Sequence, residues 1–412
     1  MQKSTFVCKT ITPMLSRSMY SKIENSWRFE LRPQSIKGVM RFWFRALVPC
    51  VVDPNWLNGS KKAFSALHYL EGLMFGSQEK KSPFSLTVSY ADDIEESVDT
   101  LVNSNDKFFR NALFGTYELR GNNPSFSYMM PDQSFTIRIR YSSSVLPIQK
   151  ALTDSLMTLI SNYSGFGAKA RDGFGSFSIT KAKGAEEESV GKQPSTSESL
   201  LLKMIREIDL DGDVFRLVHE ERNLSPYEFP TIARSKEMTA LANSTSWRRN
   251  IIRSLTGLRN MDGEPQTIYS NLKLVKLRGY RQEDDNLNPM RAAYFSNIAP
   301  SRDFVMRTSI MGLPIIYQKF GEYPGTTGRG AATISNNDSG SGRKASPIFV
   351  SVHKAVNNTY FARILLMASK ISPERDSHDR PVIYARVNNR SYPILGNENF
   401  EELWNLIEGV IQ

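Results

Sequence analysis

Two segments of the chain alternate strictly between apolar and polar residues, PFSLTVSY over 83–90 and SFTIRIRY over 134–141. A two-residue period turns every other side chain to one face, an arrangement that suits a half-buried strand. The flanking segments say what these strands belong to. Upstream, Ser4 to Ile11 (STFVCKTI) is rich in β-branched and aromatic residues and ends at Thr12-Pro13, as a strand does. Pro33 stands at a first helical position ahead of a helical run that ends near Leu47, with Pro49 just past the stop. A second apolar helix is predicted from Lys61 to Met74, closed by Gly76. Downstream come a helix from Ile148 to Tyr163, a glycine-rich loop from Gly165 to Gly175, and a last strand from Phe174 to Thr180. Strand, helix, strand, strand, helix, strand is the ferredoxin-like order. The segments 49–82 and 92–132 are additions to it.

Residues 184–199 (GAEEESVGKQPSTSES) are acidic, polar and nearly free of large apolar groups, and read as a linker or mobile loop. Beyond them a helical stretch runs from Leu200 to Ile208, and an arginine-bearing, helix-like segment from Ser235 to Thr256. Strands are predicted near 303–310, 346–353, 359–367 and 381–387, with a closing helix from Asn399 to Val410. The segment 325–344 has almost no large apolar residue and is expected to be a mobile loop. A short echo links the halves: Lys81-Ser82-Pro83-Phe84 opens one strand, and Lys344 to Phe349 (KASPIF) opens another. The expected fold is α+β, two ferredoxin-like domains, each an antiparallel sheet with helices packed on one face. The first covers 1–183 and the second 200–412, with helical insertions. A length of 412 residues fits two domains of about 100–200 residues each.

Composition narrows the class. No run approaches the ~18 apolar residues of a spanning helix, and MQKSTFVCKT is too short in apolar core for a signal peptide. Neither a membrane nor export is expected. The two cysteines, Cys8 and Cys50, lack zinc-ligand spacing, so they read as small buried groups in a reducing cytoplasm. The net charge is +10, and residues 1–52 hold nine Lys or Arg against only Glu24 and Glu30. Such clustering favours a polyanion partner.

The segment LRPQSIKGVMRFWFRAL (31–47) separates two chemistries on one helix. At about 100° per residue, Ile36, Val39, Met40, Trp43 and Leu47 share one face, while Lys37, Arg41 and Arg45 share the opposite one beside Gln34 and Gly38. Like charges four residues apart repel, so helix stability does not explain the row. It is either a solvated face or a phosphate-binding one, to which Gly38 would give close backbone approach. Trp43 belongs with the core rather than with base stacking. The second segment, SGFGAKARDGFGSF (164–177), sets Lys169 and Arg171 among Gly165, Gly167, Gly173 and Gly175. Glycines permit positive φ and open backbone amides to an anion, but turns use them for conformation alone. Phe166 and Phe174 are expected in the core.

Catalytic motifs are lacking. Gly191-Lys192 has no Walker context, and neither Gly165 nor Gly328 begins a GxGxxG, which argues against an ATPase or dinucleotide enzyme. His68, His219, His353 and His378 form no HxH, HD or HExxH arrangement. No catalytic residue, metal site or cofactor is predicted. His219 beside Glu220 and Glu221 reads as a polar turn. His68, on the second helix, is the residue a metal-free ribonuclease would use as acid or base.

In combination, ELRPQSIKGVMRFWFRAL (30–47), LMFGS (73–77), SPF (82–84) and GFGAKARDGFGSF (165–177) resemble the first domain of the Cmr subunit one family of the RAMP superfamily, found in type III-B CRISPR–Cas effector complexes. Gly312 to Ile315 and RKASPIF (343–349) resemble that family's second domain, so the matching motifs span 5 to 353. After the first strand the family often has a small glycine-containing turn; here the chain reads Met14-Leu15-Ser16-Arg17-Ser18. The resemblance implies two RAMP domains, assembly with other Cmr subunits, and RNA contacts near the 3′ end of CRISPR RNA, where target RNA is captured. It implies no cleavage by the subunit itself. The RNA-binding candidates become Lys37, Arg41, Arg45, Lys169, Arg171, Gly165, Gly167 and Gly173. A RAMP-type, metal-independent endoribonuclease that matures CRISPR RNA is the alternative.

Overall fold

The computed structural model describes residues 2–23, 26–52, 61–92, 94–102, 107–113, 116, 125–185, 194–209, 215–217, 229–237, 246–256, 283–311, 313, 315–317 and 332–410. The first half runs β1 (Lys3–Thr10), β2 (Met14–Leu15), β3 (Arg17–Ile23), β4 (Ser26–Phe29), α1 (Pro33–Val51), α2 (Lys61–Phe75), β5 (Phe84–Tyr90), β6 (Glu95–Ser97), α3 (Asp99–Val102), α4 (Lys107–Ala112), β7 (Ser125–Met129), β8 (Ser134–Tyr141), α5 (Pro147–Tyr163) and β9 (Phe177–Lys183). Its main sheet is antiparallel with the order β5-β8-β1-β9. Taken as first to fourth, the strands lie second, third, first, fourth, which is the ferredoxin-like topology. Alternation delivers the core: Phe6 and Cys8 on β1, and Phe135, Ile137, Ile139 and Tyr141 on β8, are all buried under α1 and α5. The buried Cys8 thiol is pushed up in pKa by desolvation, which suits an unreactive packing role.

The second half runs α6 (Pro194–Ile208), β10 (Thr231–Glu237), α7 (Trp247–Thr256), α8 (Glu283–Ser296), β11 (Val305–Met306), β12 (Ile315–Tyr317), β13 (Ala332–Ser335), β14 (Ile348–Lys354), β15 (Tyr360–Ala368), β16 (Val382–Val387), β17 (Arg390–Gly396) and α9 (Phe400–Val410). A three-stranded sheet, β10-β15-β14, repeats the first, third, second order of the opening half. A separate five-stranded sheet, β11-β17-β16-β13-β12, has its own small core around Ile334, Ile383 and Ile394. The sequence echo now has a structural meaning. Pro83 precedes β5 and Pro347 precedes β14, the second strand and an outermost strand of each repeated sheet. One continuous core joins Trp43 and Leu47 of α1 to Leu201 and Met204 of α6 and to Phe349, Leu365 and Met367 of β14 and β15. No described helix is long and apolar enough to cross a membrane.

Several boundaries differ from the sequence expectation, each for a physical reason. α1 continues through Pro49 to Val51. The ring forfeits one bond near the last turn, while burial of Val48, Pro49 and Val51 holds the helix together. The last strand of the first sheet begins at Phe177, not Phe174, because Gly175 (φ +70) turns the chain first and pairing starts at Thr10 opposite Phe177. In the segment 184–199 read as a linker, residues 194–199 open α6, and Ser197 and Leu200 are buried; residues 186–193 lie outside the described residues. The segment 235–256 is not one helix: β10 ends at Glu237 and α7 begins at Trp247. After two strand residues, Arg307–Met311 form a 3-10 turn in place of a strand to 310. Of the expected loop 325–344, residues 325–331 lie outside the described residues, and Ala332–Ser335 is a strand between β12 and β16.

Candidate nucleic-acid interface

Helix α1 starts at Pro33, which fixes φ and spares an amide that would lack a partner there. Its apolar face is buried as the periodicity requires, with Ile36, Met40, Trp43 and Leu47 fully enclosed. The opposite face carries the basic row, and the structure supplies what the sequence could not: a carboxylate facing it. Arg45 donates from Nε to Glu71 Oε2 at 2.6 Å and from Nη2 to Glu71 Oε1 at 2.8 Å, a two-point contact to α2. Bonding to Glu71 holds the Arg45 guanidinium above its ordinary pKa. Arg41 donates to the carbonyls of Gly76 (3.1 Å) and Phe75 (3.4 Å), capping the end of α2, with its Nε 3.6 Å from Glu71. Lys37 Nζ donates to Ser82 Oγ at 2.7 Å and lies 5.0 Å from the Phe84 ring centre. Burial, then the Arg41 charge, lowers its pKa. The row that looked self-repelling is therefore pinned to α2 and its exit. It is not closed off, since the side chains of Arg41 and Arg45 keep 37% and 45% of their surface.

A cleft of about 390 Å³ opens here, lined by Arg41, His68, Glu71, Lys80, Lys81 and Ser82 among others. On the other flank of α1 lies a larger cleft of about 660 Å³, bounded by Ser35, Gly38 and Phe42, by the glycine-rich loop from Ser164 to Asp172, and by Ser346 and Phe349 of the second half. Gly38 lines this larger cleft; it is exposed, and a Cβ there would meet nothing within 4 Å.

The loop's glycines are held mainly by packing. A Cβ on Gly165 would stand 2.3 Å from the Gly175 carbonyl oxygen, and one on Gly167 (φ +93) 2.2 Å from that of Leu15. Gly173 has φ +90 and is buried. The segment Met14 to Ser18, where the chain lacks a small glycine turn, is what the loop leans on: Met14 and Leu15 form β2, and the Ala168 amide donates to the Leu15 carbonyl at 2.7 Å. Phe166 and Phe174 are buried in the core. Arg171 is not a free loop cation. Its guanidinium sits 5.3 Å from the Phe42 ring and 4.6 Å from Phe349, and Nη1 donates to the Ser346 carbonyl at 2.8 Å. Burial lowers its pKa, and the backbone agrees, with the Val350 amide donating to the Arg171 carbonyl. Arg171 therefore ties the two halves together. Lys169 (φ +61) is half-buried on the rim of the larger cleft.

The histidines divide sharply. His353 Nε2 lies 2.8 Å from Ser351 Oγ, but His353 is buried, and desolvation, then the Arg363 charge, pulls its pKa down to about 3. A neutral, enclosed imidazole of this kind serves packing and not proton transfer at neutral pH. His378 stands on an exposed turn beside Asp376, and His219 lies outside the described residues. His68 is exposed at the smaller cleft. Among the described residues, no group of three or more His, Cys, Asp or Glu is placed to hold a metal ion.

Comparison with known proteins follows the same outline. Residues 8–178 match the RAMP superfamily. The CRISPR system Cmr subunit Cmr1-1 of Pyrococcus furiosus is 25% identical over 272 residues, which cover 63% of this chain and 75% of that protein. The crystal structure of Cmr1 from Pyrococcus furiosus in its apo form superposes with a TM-score of 0.52 at 15% identity, covering 100% of this chain and 97% of that one. This last likeness is one of fold. A chain of the Type III-B Cmr-beta complex bound to cognate target RNA and AMPPnP gives a TM-score of 0.49 at 14% identity, with 99% and 98% covered.

Proposed function

We propose, from the match of residues 8–178 to the RAMP superfamily, that this chain is the Cmr1-type structural subunit of a type III-B CRISPR effector complex, binding CRISPR RNA near its 3′ end and helping to capture target RNA. Its partners are then the two RNAs and other Cmr subunits. The observation that carries the RNA contact is the exposed side of α1. Lys80 and Lys81 beside Arg41 on one flank, and Gly167 and Lys169 on the other, are joined across Lys37 and Gly38. A phosphate chain laid over the helix meets cations on both sides, and bare backbone at Gly38. Two RAMP domains, 1–183 and 200–412, are assigned, with α6 at the junction packed on α1 and α5.

The test is RNA affinity against salt for Lys37→Ala/Arg41→Ala/Lys169→Ala in the full chain. Each cation that ceases to neutralise a phosphate should flatten the slope of log K against log salt by ~0.7. An unchanged slope in a folded variant sinks the reading. No catalysis is assigned to the chain, and purified protein should leave guide and target RNA uncut. One observation favours a second reading, an endoribonuclease: His68 is exposed in the same cleft as Arg41 and Lys81. Cleavage of a repeat RNA that disappears in His68→Ala would promote it.

A further inference from the structure

The face of the first sheet turned away from α1 and α5 carries charge that no described helix covers. Strand register places its side chains in rows. Ser85, Arg140 and Lys3 form the first, Thr87, Arg138, Thr5 and Lys183 the second, and Ser89, Thr136, Val7 and Lys181 the third. Lys3, Arg138, Arg140, Lys181 and Lys183 are exposed, with short hydroxyl side chains between them, no acidic residue in any row, and Val7 alone apolar.

Several other arginines have a carboxylate opposite. Arg363 meets Glu237, Arg234 meets Glu401, Arg375 meets Glu398, and Arg380 meets both Asp376 and Asp303. Among the described residues these five cations make no ion pair, and Arg138 donates only to Ser89 Oγ at 3.0 Å; Lys9, one row further along the same face, differs in pairing with Asp132 at 3.0 Å. Lys3 and Arg140 stand directly opposite each other, a like-charge pair that destabilises a sheet unless an anion lies over it. Neighbours along a strand on one face are about 6.8 Å apart, and adjacent strands about 4.8 Å apart. Such a grid of donors can follow successive phosphates of an extended strand. No aromatic ring points out of these rows, so the face lacks the stacking platforms by which a sheet reads bases.

We propose that this open sheet face is a second RNA-binding surface, separate from the α1 clefts, which holds the phosphate backbone of single-stranded RNA without regard to sequence. It shares with the functional reading above only the class of ligand. The experiment compares the full-length parent, Arg138→Thr/Arg140→Thr/Lys183→Thr, and the triple α1 variant Lys37→Ala/Arg41→Ala/Lys169→Ala. The probes are oligouridine, a mixed-sequence RNA and polyglutamate, titrated over a range of salt. Threonine keeps the strand propensity, and unfolding midpoints report whether each variant is folded. The sheet variant should lose affinity equally for both RNAs, its salt slope flattened by about 2, as expected when three phosphates are no longer neutralised. An unchanged slope in the folded sheet variant, while the α1 variant loses binding, overturns this inference and leaves the functional reading standing. A parent that binds neither RNA at low salt overturns both. Loss of polyglutamate binding alone in the sheet variant would reassign the face to an acidic protein and overturn the RNA proposal.

Discussion

The basic row of α1 and the basic rows of the first sheet look alike in charge and differ in what stands opposite them. On the helix, Arg45 is held at two points by Glu71, Arg41 by two carbonyls at the end of α2, and Lys37 by Ser82. On the sheet, Arg140 stands opposite Lys3 and Ser85, Lys181 opposite Val7 and Lys183 opposite Thr5, and among the described residues none of the three makes an ion pair. Periodicity picks out the first row because a three-cation stripe on an amphipathic helix is conspicuous. It passes over the second because those cations come from three strands far apart in sequence. A cation's availability to a ligand is set by its tertiary neighbours, so the conspicuous row is the more committed of the two.

The sharpest break in this contrast comes from Arg171, whose guanidinium packs against Phe42 and Phe349. Arg171→Ala removes a charged hydrogen bond to Ser346 and the packing between Phe42 and Phe349. We expect destabilisation by about 3 kcal/mol, read as a lowered denaturant midpoint. A midpoint equal to the parent's, with weaker RNA binding, would return Arg171 to the ligand side of the comparison. Gly167→Ala comes next. Its φ of +93 and the Leu15 carbonyl in the path of a Cβ predict about 2 kcal/mol of destabilisation. An undisturbed midpoint would mean that the glycine serves ligand access and not packing.

Glu71→Gln keeps the shape of the clamp and removes its charge. Stability should fall by about 1 kcal/mol or less, because the arginines it meets are partly exposed. RNA binding should strengthen at low salt, with a slope steeper by ~0.7 for each cation released. Weaker RNA binding would show that Glu71 orients the arginines for RNA instead of competing with it. The smallest effect is expected at Gly38→Ala. Nothing crowds a Cβ there, so the helix should gain about 0.5 kcal/mol. If RNA crosses α1 at this point, the more stable protein should bind it less well; equal affinity would move the RNA path off Gly38.

Much of the architecture could be read without coordinates. Alternation in 84–90 and 134–141 and the apolar stripe of 36–47 are local periods, and local periods dictate which face is buried wherever the segment packs. The burial of Trp43 follows from the same logic, whereas Phe166 and Phe174, in a loop without a period, were expected in the core as large apolar side chains, and they are buried there. The strands Thr231–Glu237, Ala332–Ser335 and Arg390–Gly396 were not legible. Their residues are mixed in polarity; Thr231–Glu237 and Ala332–Ser335 become strands by pairing with Tyr360–Ala368 and Val382–Val387, far along the chain, and Arg390–Gly396 by folding back on Val382–Val387 through a two-residue turn at Asn388 and Asn389.

For the site, sequence alone determined which residues carry charge and which glycines allow unusual backbone. Three features came only from the tertiary structure. Glu71, twenty-six residues beyond Arg45, is delivered to it by α2. Phe349 and Ser346 enclose Arg171 from the other half of the chain. Lys3, Arg140 and Lys183 gather on one face through sheet register. The physical reason is common to all three. Charge is a property of a residue, whereas its free energy depends on the partners and solvent around it, and those are set by contacts between segments that the chain order leaves far apart.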